Sequence, residues 1–245
     1  MAAPFLIQAV TDLLADVPAQ DKQLLDVSCK EGDVLRALQT RGFLLRGTNF
    51  EPHGPELDGI PIDYGVDLCR RLPYEDASFD VVLLVEVIEH LENHRVALGE
   101  LARVLKPGGV LILTTPNIMR LSSRLHFFLS GYHKTKRRFI PFDTPLDQAH
   151  RFHNYPIDIP ILSYLCQQNG LVWEKLAKSK RKGFSVFLFS IFSLPVRIYT
   201  WYMVLLREKN PQQRQANRRL CEWLLHPRTL MEDNLVLRLR KTGAT

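Results

Sequence analysis

From Asp21 onward, short apolar runs alternate with stretches whose apolar positions recur every three or four residues. That alternation predicts a parallel sheet covered by helices. Gln23–Val27 is expected as a buried strand, followed by a turn at Ser28–Gly32 and a helix from Asp33 to about Gln39. Phe43–Arg46 reads as a second strand ending at Gly47–Asn49. The segment Glu51–Pro61, with three prolines and two glycines, is expected as loop where a helix usually sits. Phe79–Val85 is a nearly continuous apolar strand of the kind buried on both faces. A helix from about Asn93 to Leu105 follows and stops at Lys106-Pro107-Gly108-Gly109, which turns the chain into a strand at Val110–Thr114. After Thr115-Pro116-Asn117 the pattern is helical to about Ser130, then loosens into a basic loop, Lys134–Arg138. Another helix is expected at Ile159–Gln168, ended by Asn169-Gly170. Leu171–Ala177 and Asn234–Arg240 are the last expected strands.

Between those two strands lies Phe184–Leu206, almost wholly apolar or aromatic. It is broken only by serines, Pro195, Arg197 and Thr200. Lys180, Arg181 and Lys182 precede it, and Arg207 and Lys209 follow. A run of this length usually reads as a membrane span. Pro195 and Arg197 at its middle, and basic residues at both ends, point instead to a bent pair of helices in the membrane interface, facing anionic lipid. A buried helical hairpin or an oligomer contact is the competing reading. The helical insert is drawn as residues 184–225 within one domain spanning 1–245.

Composition narrows the picture in two ways. Hydrophobic residues make up 46% and charged residues 24% of 245 residues, a globular balance with enough chain for one large core. The net charge of +6 implies an anionic neighbour: nucleic acid, a lipid surface or a phosphorylated substrate. Cys29, Cys69, Cys166 and Cys221 are scattered and form no CxxC pair, which disfavours a disulfide framework or zinc site and fits a reducing, cytoplasmic setting. The opening MAAPFLIQAVTDLLADV has no early basic residue and reads as an amphipathic helix rather than a secretory signal. No GxSxG elbow and no P-loop is present. No His/Asp/Glu group has metal-ligand spacing, so no metal is expected.

A doubly wound sheet binds its ligand at the carboxyl ends of its strands, so the candidate residues lie just after each strand. LLDVSCKEG after the first strand, DLCRRLPYEDASFDVVLLVEVIEHL further on, and KPGGVLILTTPN together resemble the motifs of class I S-adenosylmethionine-dependent methyltransferases over about Leu24–Asn117. The nearest likeness is to methyltransferases of quinone precursors and of surface glycans. This resemblance implies a Rossmann-like, mostly parallel seven-stranded sheet and S-adenosylmethionine as cofactor. It implies that Asp26 holds the amino end of the methionine, with Val27, Ser28, Cys29 and Gly32 forming the turn. Asp67 and Leu68 would meet the adenine, and Glu86 and Val87 would line the methionine side. The acidic ribose-binding position falls on Asn49. Two expected glycines are Ser28 and Lys30; the lysine adds bulk and needs a tolerable φ, so a weakened cofactor site follows from these departures. Taken singly, Asp26 is also readable as a helix-approach cap, Asp67 as a turn former and His90 as a packing residue.

Transfer to a hydroxyl needs a base, and His150, then His153, in QAHRFHNY are the candidates; both are also readable as packing against the next helix. The expected function is O-methylation of a glycan, quinone-like or lipid-linked acceptor by an enzyme peripheral to the inner membrane face. A non-catalytic scaffold with a degenerate cofactor motif is the alternative. An RNA methyltransferase ranks lower, because aromatic residues are not interleaved with the basic clusters Lys134–Arg138 and Lys175–Lys182 as nucleic-acid stacking requires.

Overall fold

The computed structural model describes residues 3–135 and 139–243. Lys136, Arg137 and Arg138 of the expected basic loop lie outside the described residues. Seven strands form one sheet in the order β3-β2-β1-β4-β5-β7-β6. They are β1 (Gln23–Val27), β2 (Leu44–Thr48), β3 (Ile62–Asp63), β4 (Phe79–Val85), β5 (Leu105–Pro116), β6 (Leu171–Leu176) and β7 (Asn234–Lys241). β1 pairs parallel with both β2 and β4, while β7 runs antiparallel between β5 and β6. Strand order therefore reverses at β1/β4, which puts the ligand-binding crevice at their carboxyl ends.

The two-residue period of a strand explains why the central runs are apolar throughout. In β4, Val82 and Leu84 point into one core and Val81 and Leu83 into the other. Leu111 and Leu113 of β5 share the first core with α3 (His94–Val104) and α5 (Ile159–Gln168), and Val110 and Ile112 share the second with α1 (Pro4–Leu13) and α2 (Asp33–Leu38). Arg238 of β7 faces the second core and carries its charge to the end of α1, donating to the Leu13 carbonyl at 3.0 Å and pairing with Asp16.

Three elements differ from the sequence expectation. β2 runs on through Gly47 and Thr48 because these pair with β3, a two-residue strand directly after the loop Glu51–Pro61 that the sequence pattern did not mark. β5 starts at Leu105, five residues early. Its ladder skips from the Phe79–Leu105 pair to Val81–Val110, so Lys106–Gly109 loop out of the strand instead of preceding it. The apolar insert is one helix, α6 (Gly183–Trp201), continuing into a π-turn at Tyr202–Leu206, not a bent pair. Pro195 removes a bond to the carbonyl of Ile191, a residue 50% exposed, so the missing bond is on an open face and the helix runs on. α7 (Pro211–Leu224) and the short α8 (Pro227–Met231) then return the chain to β7.

α6 touches the rest of the fold through a third, small core, in which Leu188 meets Leu121 of α4 (Leu121–Ser130) and Leu230 of α8. Asn117 secures this corner. Its Nδ2 donates to the carbonyls of Thr229 and Glu232 at 2.8 and 2.9 Å, and its Oδ1 accepts from the Met119 N–H at 2.9 Å. Asn117→Ala strands three buried polar groups, and chemical denaturation is expected to show a loss of about 2–4 kcal/mol.

Candidate active site

The turn after β1 closes a left-handed path that glycines would take freely. Ser28, Lys30 and Gly32 have φ of 62°, 53° and 74°. Only glycine fits at Gly32, where a Cβ would lie 2.1 Å from the Leu57 side chain. At the other two positions the chain is held by β2. The Ser28 N–H donates to Thr48 Oγ1 at 3.1 Å and the Cys29 N–H to the Thr48 carbonyl at 2.8 Å. The Lys30 N–H donates to Asn49 Oδ1 at 2.7 Å, and Asn49 Nδ2 donates back to the Lys30 carbonyl at 3.2 Å. A carboxylate at position 49 would lack that donor, so the amide that stands in the ribose-binding position serves the turn. The Cys29 thiol packs 3.9 Å from Asn49 Oδ1, and burial pushes its pKa up to about 12.

Asp26 is 2% exposed and pairs with no cation among the described residues; burial raises its pKa to about 8. A carboxylate enclosed in this way fits a ligand ammonium, which is the test the residues must pass for the amino end of S-adenosylmethionine. The Val27 side chain is wholly buried, and those of Leu68 and Val87 lie in the same core. Asp67 sits in a turn, its Oδ1 accepting the Cys69 N–H at 2.8 Å and its other oxygen 3.2 Å from Arg70.

At the end of β4, Glu86 has φ 54° and both carboxylate oxygens engaged, by Thr114 Oγ1 at 2.9 Å and by Asn234 Nδ2 at 2.8 Å. Strained backbone of this kind costs of order 1–3 kcal/mol and collects at functional edges. Glu89 is 1% exposed; Thr115 Oγ1 donates to its Oε2 at 3.1 Å, while Oε1 has no partner. Burial, reinforced by Glu86, holds its pKa well above the usual carboxylate range.

A strap from Leu146 to Tyr155 covers this edge. His90 Nδ1 lies 2.8 and 3.0 Å from the carbonyls of His150 and Phe152, so it carries the proton and leaves Nε2 as a lone pair. The Tyr155 N–H donates to the Glu89 carbonyl, and Glu51 draws in His150 and Arg151 at 3.5 and 3.6 Å. The two candidate histidines therefore separate. His150 sits on the rim, with Nδ1 donating to the Asp147 carbonyl at 2.6 Å and its ring against Phe50. His153 turns inward, its ring edge-on to His90 at 4.7 Å.

Glu89, His90 and His153 present ligand atoms within 4.8 Å of one another, a set with the chemistry to bind a divalent cation or to move a proton. Spacing along the chain predicts neither, because His153 arrives from a distant segment. The available signal was Glu89 itself, a carboxylate inside the apolar run EVIEHL. Two surface cavities of about 470 and 360 Å³ lie elsewhere, one against β6 and α7, the other at the amino ends of β1 and β2.

Fold and crevice together define a class I S-adenosylmethionine-dependent methyltransferase. The profile of the methyltransferase domain family matches residues 2–171, and the chain belongs to that family. It is similar to the ubiquinone biosynthesis O-methyltransferase of Cereibacter sphaeroides, 32% identical over 113 residues that cover 43% of this chain and 46% of the relative. The enzyme of the same name from Hahella chejuensis is 27% identical over 180 residues, covering 66% of this chain and 71% of the relative. The Cereibacter match thus spans under half of that relative. The fold is shared with an S-adenosylmethionine-dependent methyltransferase from Archaeoglobus fulgidus, with TM-score 0.54, 14% identity, and 96% and 93% of the two chains covered.

The enclosed Asp26 carries a pH signature. Its folded pKa is raised, so its contribution to stability is fully present below about pH 4 and is lost as pH rises towards about 8. Binding of a ligand ammonium needs the ionised form and runs the other way. Calorimetric titration with S-adenosylhomocysteine is expected to show affinity rising from about pH 6 to about pH 8, by up to about tenfold per unit, with a flatter profile in Asp26→Asn.

Proposed function

We propose that this chain O-methylates a hydroxyl of a membrane-resident acceptor, from the cytoplasmic face of the membrane. When bound, S-adenosylmethionine supplies an electrophilic methyl group on a sulfonium, so the protein's work is alignment, exclusion of water and removal of one proton. Asp26 and the 26–32 turn would hold its amino-acid end and Asp67 its adenine side, as in the family. The strap shields the crevice from water. His153 is the favoured base. It stands beside Glu89 and His90, with ligand atoms of the three within 4.8 Å of one another and one Glu89 oxygen, Oε1, without a hydrogen bond. His150 is the second candidate, further out against Glu51.

The observation that carries the acceptor class is the outward face of α6. Gly183–Leu206 is long and apolar enough to cross a membrane by length and composition, and only 11% of its most apolar stretch is buried. Phe184, Phe187, Leu194, Ile198 and Trp201 are each more than half exposed. An apolar surface of this extent on a folded protein marks an interaction site, and Lys180–Lys182 and Arg207 at its ends suit anionic headgroups. α4, which packs on α6 and starts beside the crevice, exposes Phe128 and Leu129 by 83% and 74%. A crevice next to a bilayer suits an acceptor with a lipid tail. The names of the ubiquinone-pathway relatives support a quinone-like phenol; a lipid-linked glycan precursor shares the same geometry of access.

Two measurements test this. His153→Ala is expected to lower turnover on a polyprenyl phenol by about 10²–10⁴-fold while leaving S-adenosylhomocysteine affinity unchanged; full activity in that variant, with loss in His150→Ala, would transfer the role to His150. In flotation with vesicles containing anionic lipid, wild type is expected to float, and Phe184→Ser/Phe187→Ser/Ile198→Asn to stay behind with an unchanged circular dichroism spectrum. Equal flotation of both would remove the membrane from the proposal.

A further inference from the structure

The cofactor of this class ends in an amino-acid zwitterion, and the crevice offers an opposite charge for only one half of it in Asp26. The other charge stands at Lys30, where the family pattern has glycine. Lys30 takes a left-handed φ of 53°, a conformation that costs a side-chain-bearing residue of order 1 kcal/mol. Its peptide is gripped on both sides by the Asn49 carboxamide, through N–H to Oδ1 at 2.7 Å and Nδ2 to the carbonyl at 3.2 Å. A glycine would hold the turn without that grip, so positions 30 and 49 together keep a long cationic side chain at the crevice.

That side chain is exposed and forms no ion pair among the described residues. It leaves Asp26 uncompensated, since burial is the whole cause of the raised Asp26 pKa. Its positive charge is instead felt at Glu89 and His90, across the crevice at the end of β4. The turn that carries Lys30 follows β1, which pairs with β4 up to Val27–Leu84, so Lys30 stands on the same edge of the sheet as Glu86 and Glu89.

We propose that Lys30 binds the terminal carboxylate of the cofactor, with Asp26 taking the ammonium of the same amino-acid group. This rests on the methyltransferase reading above and reverses the expectation that Lys30 weakens the site. The charge-assisted contact replaces what a bare glycine turn leaves to backbone N–H groups alone.

The test is calorimetric titration of wild type, Lys30→Gly and Lys30→Met with two probes: S-adenosylhomocysteine, which carries the amino-acid group, and 5′-methylthioadenosine, which lacks it. Lys30→Gly relieves the left-handed strain, so folding of the variant is secure. About a tenfold weaker affinity for S-adenosylhomocysteine in both variants is expected, with 5′-methylthioadenosine binding unchanged. Raised salt should weaken the wild-type complex with the first probe more than it weakens either variant's. Tighter or unchanged S-adenosylhomocysteine binding in Lys30→Gly would overturn the proposal and make the lysine an obstruction. An equal loss for both probes would also overturn it, assigning Lys30 to the turn alone. Wild type that binds neither probe would bring down the methyltransferase reading itself.

Discussion

Asp26 is pinned at the carboxyl end of β1 by pairing with Gly47 on one side and Leu83 on the other, between residues that belong to the two apolar cores. Enclosing a carboxylate there without a cation costs several kcal/mol unless it takes up a proton or meets a positive ligand. The surrounding structure keeps it enclosed. The turn that follows folds back over the strand through left-handed residues, and the end of β2 holds that turn by both its backbone and the Asn49 side chain. Among the described residues no side-chain cation pairs with the carboxylate at that point.

The end of β4 uses two carboxylates in different ways. Glu86 is saturated by hydrogen bonds from β5 and β7, which fix the strained backbone that opens the crevice. Glu89, one helical turn further, is buried against Thr115 with one oxygen left over, and the strap carries His153 to it. His90 links the two, since its protonated Nδ1 binds the strap's own carbonyls. The strap's seat on His90 and the meeting of His153 with Glu89 therefore belong to one packed unit.

α6 follows from a different balance. A helix apolar on all sides needs either a core or a membrane to hide in. Here only Ser185 and Leu188 are fully buried, with Phe189 and Val196 packed partly beside them, and Arg197, in the middle of the apolar run, is turned inward onto the Leu225 carbonyl at 2.9 Å. With that charge directed inward, the outer face is left free of ionised groups between Lys182 and Arg207.

The period-two and period-3.6 patterns were enough to determine the doubly wound sheet, its central strands and the position of the turn after β1. Both cores are made of residues whose neighbours along the chain already set which face they occupy. The motif resemblance around Asp26, Asp67 and Glu86 was legible because each lies in or close after the carboxyl end of a strand. Only the tertiary structure decided what depends on segments meeting from afar: that Asn49 clasps Lys30, that His153 and not His150 reaches Glu89, and that Pro195 leaves α6 unbroken. A side chain's partner across the fold is set by the packing of the whole sheet, and no local pattern carries that information.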